Sequence, residues 1–189
     1  MYDAQVIQSI MKMLLQTRQT IAVAESVTAG HLQVALASAE NASQFFQGGI
    51  TVYNLGQKSR HLKIEPIHAE RCNCVSDKIA VEMAYGVTHL FSCDWGIAVT
   101  GYAAPVPEYS IDELFAYYAI AYQQKLLEVK KIKAEIRDPM NVQVFYVNNI
   151  LNNLNQLLKH QSSFSKSDLS SISSKFASAG PFNTSPSIE

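Results

Sequence analysis

Cysteine is scarce in this chain, with three in 189 residues, at Cys72, Cys74 and Cys93. So small and odd a set of thiols argues against a disulfide framework. It does not make a metal site either: Cys72 and Cys74 stand close together, and no matching His or Cys pair completes the four-ligand set of structural zinc. The histidines (His31, His61, His68, His89 and His160) are scattered and form no H-E-x-x-H pattern. No metal and no cofactor is expected. An excess of charge of one sign is also missing. Fifteen basic and 16 acidic side chains leave a net charge of −1, without the basic footprint of a nucleic-acid or anionic-membrane binder. Long apolar runs are absent, since stretches such as Trp95 to Val99 fall far below the roughly 20 residues that span a bilayer. The opening Met1-Tyr2-Asp3 lacks the pattern of a signal peptide. A cytoplasmic chain that binds neither nucleic acid nor membrane is expected.

What is present is an ordinary globular balance, 48% hydrophobic with a mean hydropathy near zero, on a chain long enough for one domain with a sizeable core. Val6, Ile7, Ile10, Met11, Leu14 and Leu15 mark one stripe of a helix over residues 3–17. Thr20 to Ala24 reads as a buried strand, and a helix follows from Ala29 to Ala39. Gly48-Gly49 opens a strand through Tyr53, and the polar segment from Asn54 to Leu62 begins a short helix. Ser76 N-caps a helix with Ile79, Met83, Val87 and Leu90 inward. Trp95 to Thr100 is a third buried strand. Glu113 to Tyr122 and Glu128 to Ile136 pair as a hairpin. Asp138-Pro139 starts a helix striped by Met140, Val144, Val147, Leu151, Leu154 and Leu158. From His160 the chain turns Ser-rich and is read as a disordered tail. The resulting expectation is an α/β domain over residues 1–159, a three-layer α/β/α sandwich with a mixed sheet, followed by a tail over 160–189.

Three strands run straight into polar groups: Glu25, Ser26 and Thr28 after the first, Tyr53 and Lys58 after the second, and Thr100-Gly101 at the end of the third. Ligands in open α/β sheets bind beyond the carboxyl ends of strands, so the three clusters meet if the strands are parallel neighbours. A serine hydroxyl needs an adjacent base to act as a nucleophile. No histidine stands at a comparable strand end, whereas a lysine serves when burial lowers its pKa. Helix N–H groups after Ser26 would hold an oxyanion or a phosphate. Together these groups suit attack on an amide or ester carbonyl. Each also has an ordinary alternative: Ser26 and Thr28 as helix caps, Tyr53 as half-buried packing, Lys58 as a solvated surface lysine, Thr100-Gly101 as a turn.

Ala24-Glu25-Ser26-Val27-Thr28-Ala29-Gly30 resembles the A-E-S-C-T-G-G segment of the CinA C-terminal domain, the nicotinamide mononucleotide deamidase family. Phe46-Gln47-Gly48-Gly49-Ile50-Thr51-Val52-Tyr53-Asn54 resembles that family's F-x-G-G-x-x-x-Y-S/N stretch, and Lys58 falls at the family's lysine. Cys74-Val75-Ser76 resembles its A-V-S helix start, and Ala98-Val99-Thr100-Gly101-Tyr102-Ala103-Ala104-Pro105 its V-T/S-G-I-A-G-P loop. The four segments follow in register from residue 5 to residue 158. The resemblance implies release of ammonia from the carboxamide of a pyridine nucleotide, in pyridine nucleotide salvage, without cofactor. It implies Ser26 as nucleophile, Lys58 as base and Tyr53 as an aid to proton transfer, with Glu25, Thr28, Gly30, Gly49, Thr100, Gly101 and Arg137 binding the small-molecule substrate.

The chain also departs from the pattern. Val27 replaces a cysteine and Ala29 a glycine. Ala104-Pro105-Val106-Pro107-Glu108 replaces a glycine-rich loop, and Asn141 stands near the second of two family arginines. Prolines remove N–H donors, and a lost arginine removes a phosphate partner. A degenerate nucleotide-binding or interaction module is therefore the alternative reading, and Tyr117, Tyr118 and Tyr122 are candidates for a homo-oligomer interface.

Overall fold

The computed structural model describes residues 1–135 and 138–177, with side chains up to residue 161. Helix α1 (Ala4–Thr17) starts where the Asp3 carboxylate accepts from the N–H groups of Gln5 and Val6, and it buries Ile7, Ile10, Met11 and Leu14 on one face. The other elements are β1 (Ile21–Glu25), α2 (His31–Ala37), β2 (Phe46–Thr51), α3 (Leu55–Leu62), α4 (Pro66–Arg71), α5 (Asp77–Phe91), β3 (Trp95–Gly101), β4 (Leu114–Tyr122), β5 (Lys125–Ala134) and α6 (Pro139–Ala177). The five strands form one sheet in the order β2-β1-β3-β4-β5. β2, β1 and β3 are parallel, while β4 and β5 run antiparallel to their neighbours. The expected α/β sandwich with a mixed sheet is the fold.

The strands alternate large and small residues, and this alternation sets the thickness of the two outer layers. Ile21, Val23, Ile97, Val99, Tyr118 and Ile120 point into one core with α1, α2 and α6. Ala22, Ala24, Ala98, Ala119 and Ala121 point the other way, against Leu62, Ala69, Ile79, Met83 and Val87 of α3, α4 and α5. Small residues let α5 approach closely. At Gly96 an added Cβ would stand 2.4 Å from the Ala84 carbonyl oxygen and 2.5 Å from Thr88 Cγ2. The outer strand β5 carries Lys125, Lys130, Lys131 and Lys133, whose charge discourages edge-to-edge pairing.

Several boundaries differ from the sequence reading. Helix α4 is an additional element, capped by Glu65 with Pro66 in its first turn. Strand β5 begins at Lys125 because Gln123 and Gln124 both take positive φ, 47° and 63°, as a tight two-residue hairpin turn requires. No Asn-Gly or Asp-Gly signal marked that turn. The stripe of α6 starts at buried Val142, and Met140 is exposed. Helix α6 runs to Ala177, past the change of composition at His160. No Pro or Gly interrupts residues 160–177, and extending an existing helix needs no new nucleus. Residues 178–189 lie outside the described residues, as do Ile136 and Arg137. Tyr118 is fully buried, Tyr122 stacks on Trp95 at 4.7 Å, and Tyr117 packs edge-on to Phe115. No helix among the described residues is long and apolar enough to cross a membrane.

Replacing Gly96 by Val forces side-chain atoms into the backbone of α5. A loss of about 2–3 kcal/mol in stability is expected from such overpacking, measured by urea denaturation. A loss below about 0.5 kcal/mol would contradict the close approach of α5.

Candidate active site

The carboxyl ends of the parallel trio β2, β1 and β3 lie side by side, and the polar clusters converge there. Ser26 follows β1 directly, and its N–H donates to the Val99 carbonyl of β3 at 3.0 Å. On the other side the Val52 N–H donates to the Glu25 carbonyl at 2.8 Å. The chain then turns into α3, where the Asn54 side chain accepts from the Gln57 N–H. Lys58 and Leu62 sit four residues apart on one face of α3, and both are buried. Helical spacing therefore carries Lys58 inward with its apolar neighbour.

Lys58 Nζ lies 2.9 Å from Ser26 Oγ and 2.8 Å from the Val52 carbonyl oxygen. Lys58 is 1% exposed and Ser26 7%. Burial pushes the Lys58 amine below the ordinary lysine range, and its proximity to Cys74 opposes the shift only in part. The same burial raises the Cys74 thiol, which keeps it protonated and unreactive. In the neutral amine one N–H still serves Val52, and the lone pair is free to take the Ser26 proton.

The turn after Ser26 is built around Glu25. Its carboxylate is fully buried and accepts from Thr28 Oγ1 at 2.6 Å and from the N–H groups of Gly30, Leu32 and Gln33 at 3.2, 2.9 and 2.9 Å. Ala29 and Gly30 both take positive φ, 50° and 106°, which suits glycine and explains Gly30. The expectation that the start of α2 offers its N–H groups to an oxyanion or a phosphate is therefore corrected, because Glu25 already holds them. Gly49 lies on β2, where a Cβ would come within 2.6 Å of Gln33 and Val23 side-chain atoms. Its role is close packing.

A cleft of about 510 Å³ opens over the serine–lysine pair, a size suited to a small ligand. Of the residues expected from the sequence, Ser26, Tyr53, Lys58, Thr100 and Gly101 line it, whereas Glu25, Thr28, Gly30 and Gly49 do not. Arg137 lies outside the described residues. Tyr53 stands at the rim, 71% exposed, and makes no hydrogen bond to Ser26 or Lys58. Thr100 is buried, and its hydroxyl donates to the Cys74 carbonyl at 2.8 Å, pinning the loop that covers Lys58. The sequence reading did not single out Glu70, Asn73, Tyr109 and Gln143, which also line the cleft, together with Cys74 and Tyr102 of the segments that resemble the family. Gln143, one turn into α6, donates to the Val27 carbonyl at 2.8 Å. Asn73 and Cys74 reach the cleft through consecutive positive-φ residues, for which the sequence carries no glycine signal.

The sequence profile of the CinA C-terminal domain matches residues 3–158. The chain belongs to the CinA C-terminal domain family. A CinA-like protein of Synechocystis is 40% identical over 104 residues, covering 54% of this chain and 25% of the relative. Another, of Picosynechococcus, is 41% identical over 93 residues, covering 49% of this chain and 22% of the relative. The chain thus matches about a quarter of the length of these curated relatives. The CinA superfamily protein of Enterobacter cloacae superposes with a TM-score of 0.77 at 28% identity, covering 82% of this chain and 91% of that one. The competence or damage-inducible protein of Enterobacter asburiae does so at 0.77 and 26%, covering 82% and 96%. CinA membership is consistent with an enzyme.

The lowered Lys58 pKa predicts a pH signature in stability. The unfolded chain carries the Lys58 proton up to about pH 10.4, while the folded chain releases it at lower pH. Between those two values the unfolded state binds more protons, so stability rises with pH. Relative to Lys58→Met, the wild type should gain up to about 1.4 kcal/mol per pH unit in that window. Urea denaturation of both proteins in steps from about pH 6 to about pH 10 measures it, and curves parallel across the whole range would contradict the lowered pKa.

Proposed function

We propose that this chain is an amidohydrolase that removes ammonia from the carboxamide of nicotinamide mononucleotide or a close relative, leaving the carboxylate (nicotinate mononucleotide), with Ser26 as nucleophile and Lys58 as base. The observation that carries this reading is the 2.9 Å contact between Lys58 Nζ and Ser26 Oγ, buried at the floor of an open cleft. Neutral Lys58 takes the hydroxyl proton as Ser26 Oγ bonds to the carboxamide carbon. The protonated amine then gives that proton to the leaving nitrogen. The C–N bond breaks, ammonia departs, and an ester to Ser26 remains. Water attacks the ester while Lys58 again accepts a proton, and the carboxylate leaves as Ser26 regains its hydrogen.

The remaining residues divide by position. The Val27 N–H has no acceptor among the described residues and stands beside the nucleophile, so it is the proposed oxyanion donor. Tyr53 is proposed to contact the ligand ring from the rim, and the proton passes directly between Ser26 and Lys58. Thr100 and Gly101 shape the wall, and Arg137 is proposed as a ligand contact. Glu25, Thr28, Gly30 and Gly49 act through the turn and its packing. A second reading, a module that binds a nucleotide without turnover, is favoured by one observation: Tyr53, the expected aid to proton transfer, stands exposed at the rim and makes no hydrogen bond to Ser26 or Lys58.

Ammonia release from the nucleotide, measured with purified protein, is expected to fall to background in Ser26→Ala and by about 10²–10⁴-fold in Lys58→Met. Because the neutral amine is the active form, kcat/KM should rise with pH through the lowered Lys58 pKa and then level. Binding by calorimetry with no ammonia above the Ser26→Ala control, across several pyridine carboxamides, would select the second reading.

A further inference from the structure

We infer that Tyr109 is a ligand-contacting, specificity-determining residue of this cleft, whose aromatic face takes the cationic ring of an N-substituted pyridinium carboxamide. This rests on the amidohydrolase reading for the class of ligand, and on the placement of tyrosines around Ser26 for the contact. In the sheet order β2-β1-β3, strand β1 is the central one of the parallel trio. Ser26 follows β1, Tyr53 follows β2, and Tyr102 and Tyr109 belong to the loop after β3. Aromatic residues therefore flank the nucleophile on both sides, and all three line the cleft.

The loop after β3 holds Tyr109 in place. The Val106 N–H donates to the Ile111 carbonyl at 2.9 Å, and the Ile111 N–H donates back to the Val106 carbonyl at 3.1 Å. Between them Pro107–Tyr109 forms a single 3-10 turn. There the Tyr109 N–H donates to the Val106 carbonyl at 3.1 Å and the Ser110 N–H to the Pro107 carbonyl at 3.0 Å. Pro107 fixes φ at the start of the turn, and Ser110 closes it at a positive φ of 54°. This is the segment in which the chain departs from the glycine-rich loop of the family, so backbone freedom is exchanged for a side chain held at the rim. A lone exposed aromatic is ordinary. Tyr109, however, is 59% exposed at the cleft over the nucleophile, with Tyr53 71% exposed on the β2 side. The Tyr102 hydroxyl accepts from the Asn73 side chain at 3.1 Å and its ring packs edge-on to Phe115 at 5.5 Å. That leaves Tyr109, the more exposed of the two loop tyrosines, to meet a ligand.

A carboxamide attacked by Ser26 has its ring one bond from the reacting carbon, so the ring rises from the floor of the cleft towards the rim. N-substitution gives that ring a positive charge, which an aromatic face attracts. The exposed Glu70 carboxylate lines the same cleft and adds a countercharge. Burial drives Lys58 towards its neutral form, which weakens the repulsion that a charged amine would set against a cation.

The test uses two probes that differ in ring charge: nicotinamide mononucleotide and its reduced form, whose dihydropyridine ring is neutral. Calorimetric Kd values are measured on Ser26→Ala with and without Tyr109→Ala or Tyr109→Phe. Tyr109→Ala is expected to weaken the cationic probe at least fivefold and the neutral probe less than twofold, and Tyr109→Phe to keep both within twofold. In the active chain Tyr109→Ala should raise KM for ammonia release at least fivefold with kcat within twofold, because the ring keeps its charge throughout the reaction. Ammonia release with KM unchanged in Tyr109→Ala overturns the inference and leaves the amidohydrolase reading standing. No ammonia from the wild type, with the expected pattern of Kd values, overturns the amidohydrolase reading and upholds Tyr109 as the ring contact. Equal losses for the two probes, a loss in Tyr109→Phe as large as in Tyr109→Ala, or binding of neither probe overturns the inference.

Discussion

The buried carboxylate of Glu25 is the constraint on which the site depends. A charge taken out of water is tolerated only when its lone pairs are filled, and here they are filled by the start of the next helix and by Thr28. That requirement bends the chain through Ala29 and Gly30 into positive φ. The bend leaves Ser26 at the rim of the sheet, with its N–H tied to β3. The negative charge at the N-terminus of α2 is also favourable to the helix dipole. The same arrangement that fixes the serine closes the nearest anion-binding position, so the helix positions the nucleophile and leaves charge recognition to other elements.

The second constraint is the burial of an amine. Lys58 is carried inward on the face it shares with Leu62, and Cys74 lies near enough to act on its charge. Desolvation disfavours its charged form, so the folding free energy that buries it is also what makes it a base. The small-residue face of the sheet allows this. With alanines on the sheet and glycine at position 96, α5 packs closely on the same face of the sheet as Leu62, the buried neighbour of Lys58 on α3. Packing and chemistry are coupled here through the thickness of one layer.

Much of this was legible in the sequence. The stripe of α1, the three buried strands and the caps at Ser76 and Asp138 are local signals, because helix periodicity and side-chain capping act within a few residues. The convergence of Ser26, Tyr53, Lys58 and Thr100 followed from strand ends and from the resemblance in four segments. The hairpin turn at Gln123-Gln124 was not legible, because its positive φ values fall on residues that rarely signal them. The extent of α6 was not legible either, since serine composition alone argued for a coil.

The sequence by itself determined the element types, the family and the identity of the two groups that meet at the floor of the cleft. Those rest on short-range patterning and on motif order, which survive without coordinates. Only the tertiary structure decided what Glu25 is for, that Gly49 is a packing residue, and that Lys58 is committed to Ser26 at the floor of a cleft whose described lining includes tyrosines and a glutamate. Hydrogen-bond partners and burial are set by residues distant in the chain, and a linear pattern of residue types does not specify which donor finds which acceptor.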